Sequence, residues 1–545
     1  MPLAAAEELA ASLKMPLQNL TIALVLFSAY PLAWIYARLP KHAATAKHIF
    51  SIAITSFLFL SLVDVFLYFQ LLGAALVAYF VVAAGRQSQW TPVGVFLGIL
   101  SLLSYHHLNN QIINPDPDRS DNTGPVMMMV IKLSTFAWAA HDGTKPKEAL
   151  TTEQRRTAIH HMPTLLEFLG YSFFFGGWLV GPANDFSEYR RFTRGEHPFD
   201  HIPPKGFASL RTFLMGMLTL GIYIQFDKPL SHWYIIEDEF MTRSFFYRLM
   251  YINLAGNIVR CKYYGVWKLA EGACNLSGIG YLGPCPSNPQ KQIFARVQNV
   301  EPLTVERAQS PRAYIGGWNQ QTGKWLRNCI YVRLSPVPTE ASKAADAAAG
   351  RKPKKPSTAF ANMATYLASA IWHGFRPGYY FCFLSGGIVT ITGQILRRNL
   401  RPLVVAPSRL APYKPIYDFL GWLLTQISLN YICAPFPVYW VANGLRVWSS
   451  VYYIVHIWNF AAIVFFTFLG GGAVVKRVGR TLGVVYPGRG GGGAPAAVNG
   501  KVLDKSETVL AAEDEAAALL ARDSDEVREI KSHERERAAI NRKTD

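Results

Sequence analysis

Charge is scarce in this chain of 545 residues: Asp, Glu, Lys and Arg make up 17% of it, where a soluble domain carries about a quarter. The six cysteines (Cys261, Cys274, Cys285, Cys329, Cys382 and Cys433) are scattered and form no Cys-x-x-Cys pair. That spacing leaves no zinc or redox motif and reads as small, buried apolar residues. No Gly-x-Ser-x-Gly occurs, which excludes the nucleophile elbow of the serine hydrolases. No Gly-x-x-x-x-Gly-Lys-Ser/Thr occurs either, which excludes a phosphate-cradling P-loop. No histidine is followed five positions later by aspartate; His232 with Glu237 comes nearest. Internal repeats of the solenoid or duplicated-transporter kind are missing. Met1–Leu17 lacks the basic, apolar, small-residue order of a cleaved leader.

What fills the chain instead is hydrocarbon: half of the residues are hydrophobic. Runs near the roughly 20 residues needed to cross a bilayer start at Leu20–Tyr36. They continue as Ile49–Ala84 (too long for one span, hence two), Val93–Leu108, Pro125–Ala140, Leu165–Val180, Phe207–Phe226 and Phe245–Leu269. After a polar gap come Phe360–Phe375, Tyr379–Leu396, Ile416–Trp440 and Val451–Leu469. The expectation is an all-α, polytopic membrane protein with about eleven spans. Asp64, Lys132, Glu167, Arg211, Arg260 and Glu271 fall within or beside these runs. Such charges belong inside a bundle or at helix ends, and snorkelling from a helix end is the expectation for Lys132 and Arg211.

The net charge is +18; residues 501–545 contribute −3, leaving +21 for the rest. In a membrane protein that excess marks cytoplasmic loops facing anionic headgroups, and no soluble basic domain presents itself for nucleic acid. Residues 1–475 read as one membrane core. Within it, 336–358 read as a flexible basic insertion, and 476–545 as a charged, loosely helical or disordered tail. The basic loop 396–414 and the flank Lys476, Arg477 and Arg480 are separated by two spans, so the parity puts the C-terminus in the cytoplasm. Arg542-Lys543 near the chain end matches an early-secretory retrieval signal as well as an ordinary basic tail. Asn19-Leu-Thr21 and Asn275-Leu-Ser277 fit the glycosylation sequon but abut apolar runs.

Two polar clusters carry the chemistry. In Tyr366-Leu-Ala-Ser-Ala-Ile-Trp-His-Gly-Phe-Arg-Pro-Gly-Tyr-Tyr380, His373 stands at the end of an apolar run. Gly374, Pro377 and Gly378 break the chain between two helices. An imidazole shielded from water stays neutral and can take a proton from an alcohol; a structural histidine bonded to a carbonyl fits the position as well. In Gly317-Trp-Asn-Gln-Gln-Thr-Gly-Lys-Trp-Leu-Arg-Asn328, the Asn319 amide can donate to an oxyanion or accept from a hydroxyl. Thr322 and Trp325 would hold it. Lys324, Arg327 and Arg333 offer cations to phosphates or to anionic lipid. Arg260, Tyr264, Trp267 and Glu271 share one helix face, lining a substrate path or pairing within the bundle. The glycines from Gly170 to Gly181 suit close helix packing.

These residues resemble the membrane-bound O-acyltransferases, and within them the broad-specificity lysophospholipid acyltransferases of fungi. The likeness rests on Trp318-Asn319-x-x-Thr322-x-x-Trp325-Leu326, and on Ser369-Ala-x-Trp-His-Gly374 with Pro377-Gly-Tyr-Tyr380. Gly170-Tyr through Gly181-Pro182, and Arg260-x-x-Tyr-Tyr-x-x-Trp267 with Glu271, add to it. It spans about residues 15–475. The resemblance implies a helical bundle with short re-entrant or interfacial helices around a catalytic tunnel, and location in the endoplasmic reticulum. It implies acyl transfer from acyl-CoA, a co-substrate rather than a bound cofactor, to a lysophospholipid, with no metal. His373 is then the base and Asn319 its partner. Trp318, Thr322, Lys324, Trp325, Arg327, Arg333, Arg260, Tyr264, Glu271, Trp372 and Tyr379 are expected to contact substrate. A different acceptor (sterol, diacylglycerol or peptide) and a proton-coupled transporter remain as alternatives, and oligomeric state is open.

Overall fold

In a computed structural model of the chain, residues 2–14, 16–114, 123–286, 288–335, 348 and 359–484 are described. The long run after Ile49 does split in two. Val63 and Asp64 leave helical geometry, and the Asp64 carboxylate caps the second helix by accepting from the Leu67 N–H at 2.7 Å. After a short helix at Pro2–Ser12 come α1 (Leu17–Tyr36), α2 (Ala44–Leu62), α3 (Val65–Gly85), α4 (Trp90–Leu108) and α5 (Thr123–Asp142). There follow α6 (Leu165–Ser172), α7 (Phe186–Arg194), α8 (Gly206–Phe226), α9 (Phe245–Ser277), α10 (Pro302–Glu306), α11 (Pro311–Gly317) and α12 (Gln320–Leu326). The last are α13 (Ala359–His373), α14 (Pro377–Leu400), α15 (Lys414–Cys433), α16 (Val441–Ser449) and α17 (Ile454–Thr467).

Among the described residues seven helices are long and apolar enough to cross a membrane, or eight if the pair α16–α17, bent by 78°, is one span. The others among the eleven or so expected runs are shorter, or more polar, than that requires. The sequence-level reading of Leu165–Val180 as a span is corrected. Its helix stops at Ser172, and residues 173–185 run as buried, irregular chain. Within it Gly176 and Gly177 permit close packing, since a Cβ would meet the Cys274 sulfur at 2.8 Å or the Pro182 carbonyl at 2.4 Å respectively.

Burial sorts the spans. Helix α5 has 78% of its apolar window buried and runs through the interior, whereas α8, at 11%, turns nearly its whole surface outward. Apolar side chains exposed on α2, α3 and α8, such as Phe57, Phe66, Phe80, Phe207 and Leu218, suit a lipid-facing surface. Lipid offers no hydrophobic gain for helix association, so packing and interhelical hydrogen bonds must hold the bundle. Lys132 illustrates this and corrects the snorkelling expectation. It is fully buried on α5, where its ammonium donates to the Tyr171 and Ser172 carbonyls, at 3.2 and 3.0 Å, at the end of α6. Arg211 is exposed, as expected.

Two buried clusters form the core. One joins α1–α7 with Trp325 and Trp372. The other gathers α9, α15 and α16 with Val305 and Tyr314, and Trp318 packs against it. The expected insertion, apart from residue 348, and the tail beyond 484 lie outside the described residues. Helix Gly471–Thr481 continues past the boundary expected at 475. Residues 1–283 and 292–486 cluster as one unit. Residues 284–291 fall outside that unit and belong to the tip of a two-stranded ribbon, β1 (Gly283–Cys285) and β2 (Asn288–Ile293).

Candidate active site

Helix α13 ends on His373 because the next residue, Gly374, takes φ +120°, a backbone conformation that side chains resist. Pro377 then opens α14. The histidine ring sits in an aromatic box between the two helices. Phe383 stacks on it at 5.1 Å between centroids, and Trp372 and Phe436 meet it edge-on at 4.8 and 5.2 Å. Tyr379, buried, lies 6.0 Å away. The backbone carbonyl of His373 accepts from Gln111 at 3.5 Å, whereas among the described residues neither ring nitrogen has a hydrogen-bond partner. The carbonyl-bonded structural role is therefore not the one built here.

Asn319 occupies the left-handed region at φ 43°, ψ 53°, immediately before α12. Asparagine tolerates that conformation better than other residues with a side chain, and such outliers gather at functional sites. Its carbonyl begins the helix by accepting from Gly323 at 2.9 Å, and its side chain caps nothing. The turn is pinned from outside. The Asn299 carbonyl accepts from the Gln320 N–H at 2.7 Å, and its side-chain oxygen accepts from the Gln321 N–H at 3.2 Å. Trp318 is wedged against Tyr263, Tyr264 and Trp267, with centroids 5.1–5.8 Å apart.

One helix ties the two motifs together. On α5 the Ser134 hydroxyl accepts from the Trp325 indole at 2.8 Å, and the Met127 carbonyl accepts from the Trp372 indole at 3.1 Å. The two indoles meet at 5.8 Å. The structure thus brings Trp325, on the helix that Asn319 precedes, against the residue next to His373.

Comparison with known proteins bears on this arrangement. Residues 120–434 match the profile of the membrane-bound O-acyltransferase family. The chain is 32% identical to the lysophospholipid acyltransferase of Saccharomyces cerevisiae, over 83% of this chain and 74% of the relative. It is 33% identical to the lysophospholipid acyltransferase of Schizosaccharomyces pombe, over 81% and 84%. It is 30% identical to membrane-bound glycerophospholipid O-acyltransferase 1 of Mus musculus, over 64% and 68%. The chain belongs to the membrane-bound O-acyltransferase family.

In this membrane-bound O-acyltransferase the expected substrate contacts divide into two groups. Lys324 and Arg327 are exposed on α12 and the turn after it, and Thr322 is buried. Arg333, by contrast, is engaged within the protein. Its guanidinium donates to both carboxylate oxygens of Asp142, at 2.8 and 2.6 Å, donates to the Asn328 carbonyl, and lies 4.1 Å over the Trp138 ring. Arg260 is held by Glu306 at 2.8 and 2.7 Å and by Asn257 and Asn430. Tyr264 donates to the same Glu306 at 2.8 Å, and Glu271 pairs with Lys268 at 3.0 Å. Between the two sequence readings of this face, the geometry is that of paired charges within the bundle. Arg333, Arg260, Tyr264 and Glu271, expected at the substrate, all have polar partners within the protein.

A second buried ion cluster lies outside the spans. Glu188 of α7 receives Arg156, Arg191 and Arg296. Burial pushes its carboxyl up, but the three guanidiniums outweigh it and hold the pKa below the usual glutamate value. Sequence reading missed this cluster, and it also missed His107 and Gln111. Both belong to the apolar run of α4 and the π-turn that extends it, and both are buried. The signal available was the polar cluster His106-His-Leu-Asn-Asn-Gln111 closing an apolar run, whose members need partners if they lie in hydrocarbon.

Proposed function

We propose that the chain is an acyl-CoA-dependent lysophospholipid O-acyltransferase, moving a fatty acyl group from CoA to the free glycerol hydroxyl of a lysophospholipid. The observation that carries the reading is the uncommitted His373 imidazole, held in an aromatic box at the break between α13 and α14. The names of the fungal relatives support the acceptor class.

The reaction is a direct displacement. His373 takes the hydroxyl proton as the alcohol oxygen attacks the thioester carbonyl. The tetrahedral oxyanion collapses, the carbon–sulfur bond breaks, and the thiolate leaves and recovers the proton from the imidazolium. Asn319 aims the hydroxyl or donates to the oxyanion. A thioester is activated enough that no covalent acyl-enzyme is required. Holding both reactants in line supplies several kcal/mol of the barrier. Lys324 and Arg327 face the anionic CoA head, while the lysolipid enters sideways from a leaflet. Membrane residence in the endoplasmic reticulum, with the C-terminus in the cytoplasm, completes the reading.

The test is acyl transfer from labelled acyl-CoA to a panel of lysolipids, diacylglycerol, sterol and a peptide acceptor, in microsomes bearing the chain. Labelled phospholipid that depends on the chain is the expected result. Transfer to another acceptor alone, or none, overturns the assignment.

A further inference from the structure

The chain reverses direction at His373 with no regular structure to hold it, and its orphaned backbone groups are taken up from another helix. His107 Nε2 lies 3.1 Å from the Trp372 carbonyl oxygen, and an oxygen of that kind only accepts. Nε2 therefore carries the proton and donates. Nδ1 is then the bare nitrogen, and it accepts from the Gln111 amide at 3.0 Å. That same amide nitrogen is 3.5 Å from the His373 carbonyl. With its nitrogen so placed, the Gln111 side-chain oxygen faces the Phe375 N–H and accepts from it at 2.9 Å. Every bond in this series has one consistent direction.

The series is built rather than incidental. His107 and Gln111 are four apart and 1% and 4% exposed, and the helix changes to a π-turn at Asn109–Ile113 where Gln111 reaches across. A Cβ on Gly374 would fall 2.4 Å from the Gln111 amide, so the close approach needs glycine there. The backbone on both sides of His373, at residues 372, 373 and 375, is fixed by two side chains more than 260 residues away in sequence.

We infer that His107 and Gln111 are positioning residues that set the direction of the His373 imidazole, an inference that rests on His373 being the base. They touch neither reactant. They act by holding the turn, so that the imidazole presents its basic nitrogen to the acceptor hydroxyl. A displacement of about 1 Å at a reacting group can cost on the order of a hundredfold in rate.

The experiment compares His373→Ala, Gln111→Met and His107→Gln in detergent-solubilised full-length protein at matched abundance, with kcat and KM measured for both substrates. His373→Ala is expected to be inactive; activity at the parent level would sink the base assignment itself. Gln111→Met keeps the volume and loses all three bonds. Its kcat is expected to fall about tenfold or more with KM values within about twofold. His107→Gln keeps a donor for the Trp372 carbonyl and an acceptor for Gln111, and should keep kcat within about threefold of the parent. If Gln111→Met does not accumulate, Gln111→Leu reads the same way, since it too lacks the donor and the acceptor. With His373→Ala dead, an unchanged kcat in the Gln111 variants, a loss confined to KM, or a failure of His107→Gln to retain kcat overturns the positioning role while leaving the base in place.

Discussion

Trp325 and Trp372 stand 5.8 Å apart between ring centroids, and each indole N–H is bonded to α5, to Ser134 and Met127 respectively. Ser134 and Met127 are seven residues apart, two helical turns, so both bonds leave the same face of α5. One interior helix therefore carries the segment with Asn319 and the segment with His373. Trp325→Phe keeps a ring and loses one buried hydrogen bond, so unfolding free energy should fall by about 1 kcal/mol. Trp325→Ala removes the whole contact and should cost about 3–5 kcal/mol. Denaturant titration in detergent measures both; no loss in Trp325→Phe would mean the bond to Ser134 is immaterial.

Asn319 and His373 should differ in severity. His373→Ala removes the group that accepts the proton, and turnover should vanish with abundance retained. Asn319→Ala should reduce kcat by about a hundredfold or more, the order seen for a lost oxyanion donor, and still leave measurable product. Since Asn319 also holds a left-handed turn, Asn319→Gly is the control: glycine keeps the backbone at no steric cost. If Asn319→Gly is fully active, the amide has no part in the reaction.

The cations also separate. Arg333 is tied to Asp142 by two bonds, while Lys324 and Arg327 are exposed. Arg333→Ala should destabilise by about 3–5 kcal/mol, because it strands a buried carboxylate, and should leave the KM for acyl-CoA near the parent value. Lys324→Ala with Arg327→Ala should do the reverse, raising that KM several-fold at unchanged thermal midpoint. A KM effect from Arg333 with normal stability would return it to the substrate site.

The order of apolar helices, the division of the run after Ile49 into two and the two polar motifs were legible because each is a local pattern. What escaped was non-local. Lys132 reads as a snorkelling end residue, yet it caps the end of α6 from the middle of α5. Arg333 reads as a loop cation because Asp142, its partner, is 191 residues away in sequence. His107 and Gln111 drew no reading at all, since nothing in the local sequence announces that their partners are the backbone around His373. Leu165–Val180 reads as a span by composition, yet its second half is irregular chain packed closely through Gly176 and Gly177. A membrane interior makes such pairings obligatory, but sequence alone does not say which groups meet.

The Glu188 cluster gives the fold an acid limit. Its carboxylate is 3% exposed and takes ion pairs from Arg156, Arg191 and Arg296. In the unfolded chain the glutamate titrates near 4.5, and in the fold the guanidiniums hold it lower. A group with a depressed folded pKa stabilises fully above its unfolded value, and loses that contribution as pH falls through the folded one. The thermal midpoint of the parent should therefore be level from neutral pH down to about 5, then fall below 4.5. Glu188→Gln should be less stable at neutral pH by about 3–5 kcal/mol, because three guanidiniums lose their buried partner. Its midpoint should also show a smaller drop below pH 4.5, since this carboxylate is no longer there to be protonated. A variant whose midpoint parallels the parent at every pH, offset or not, would show that Glu188 does not titrate with folding.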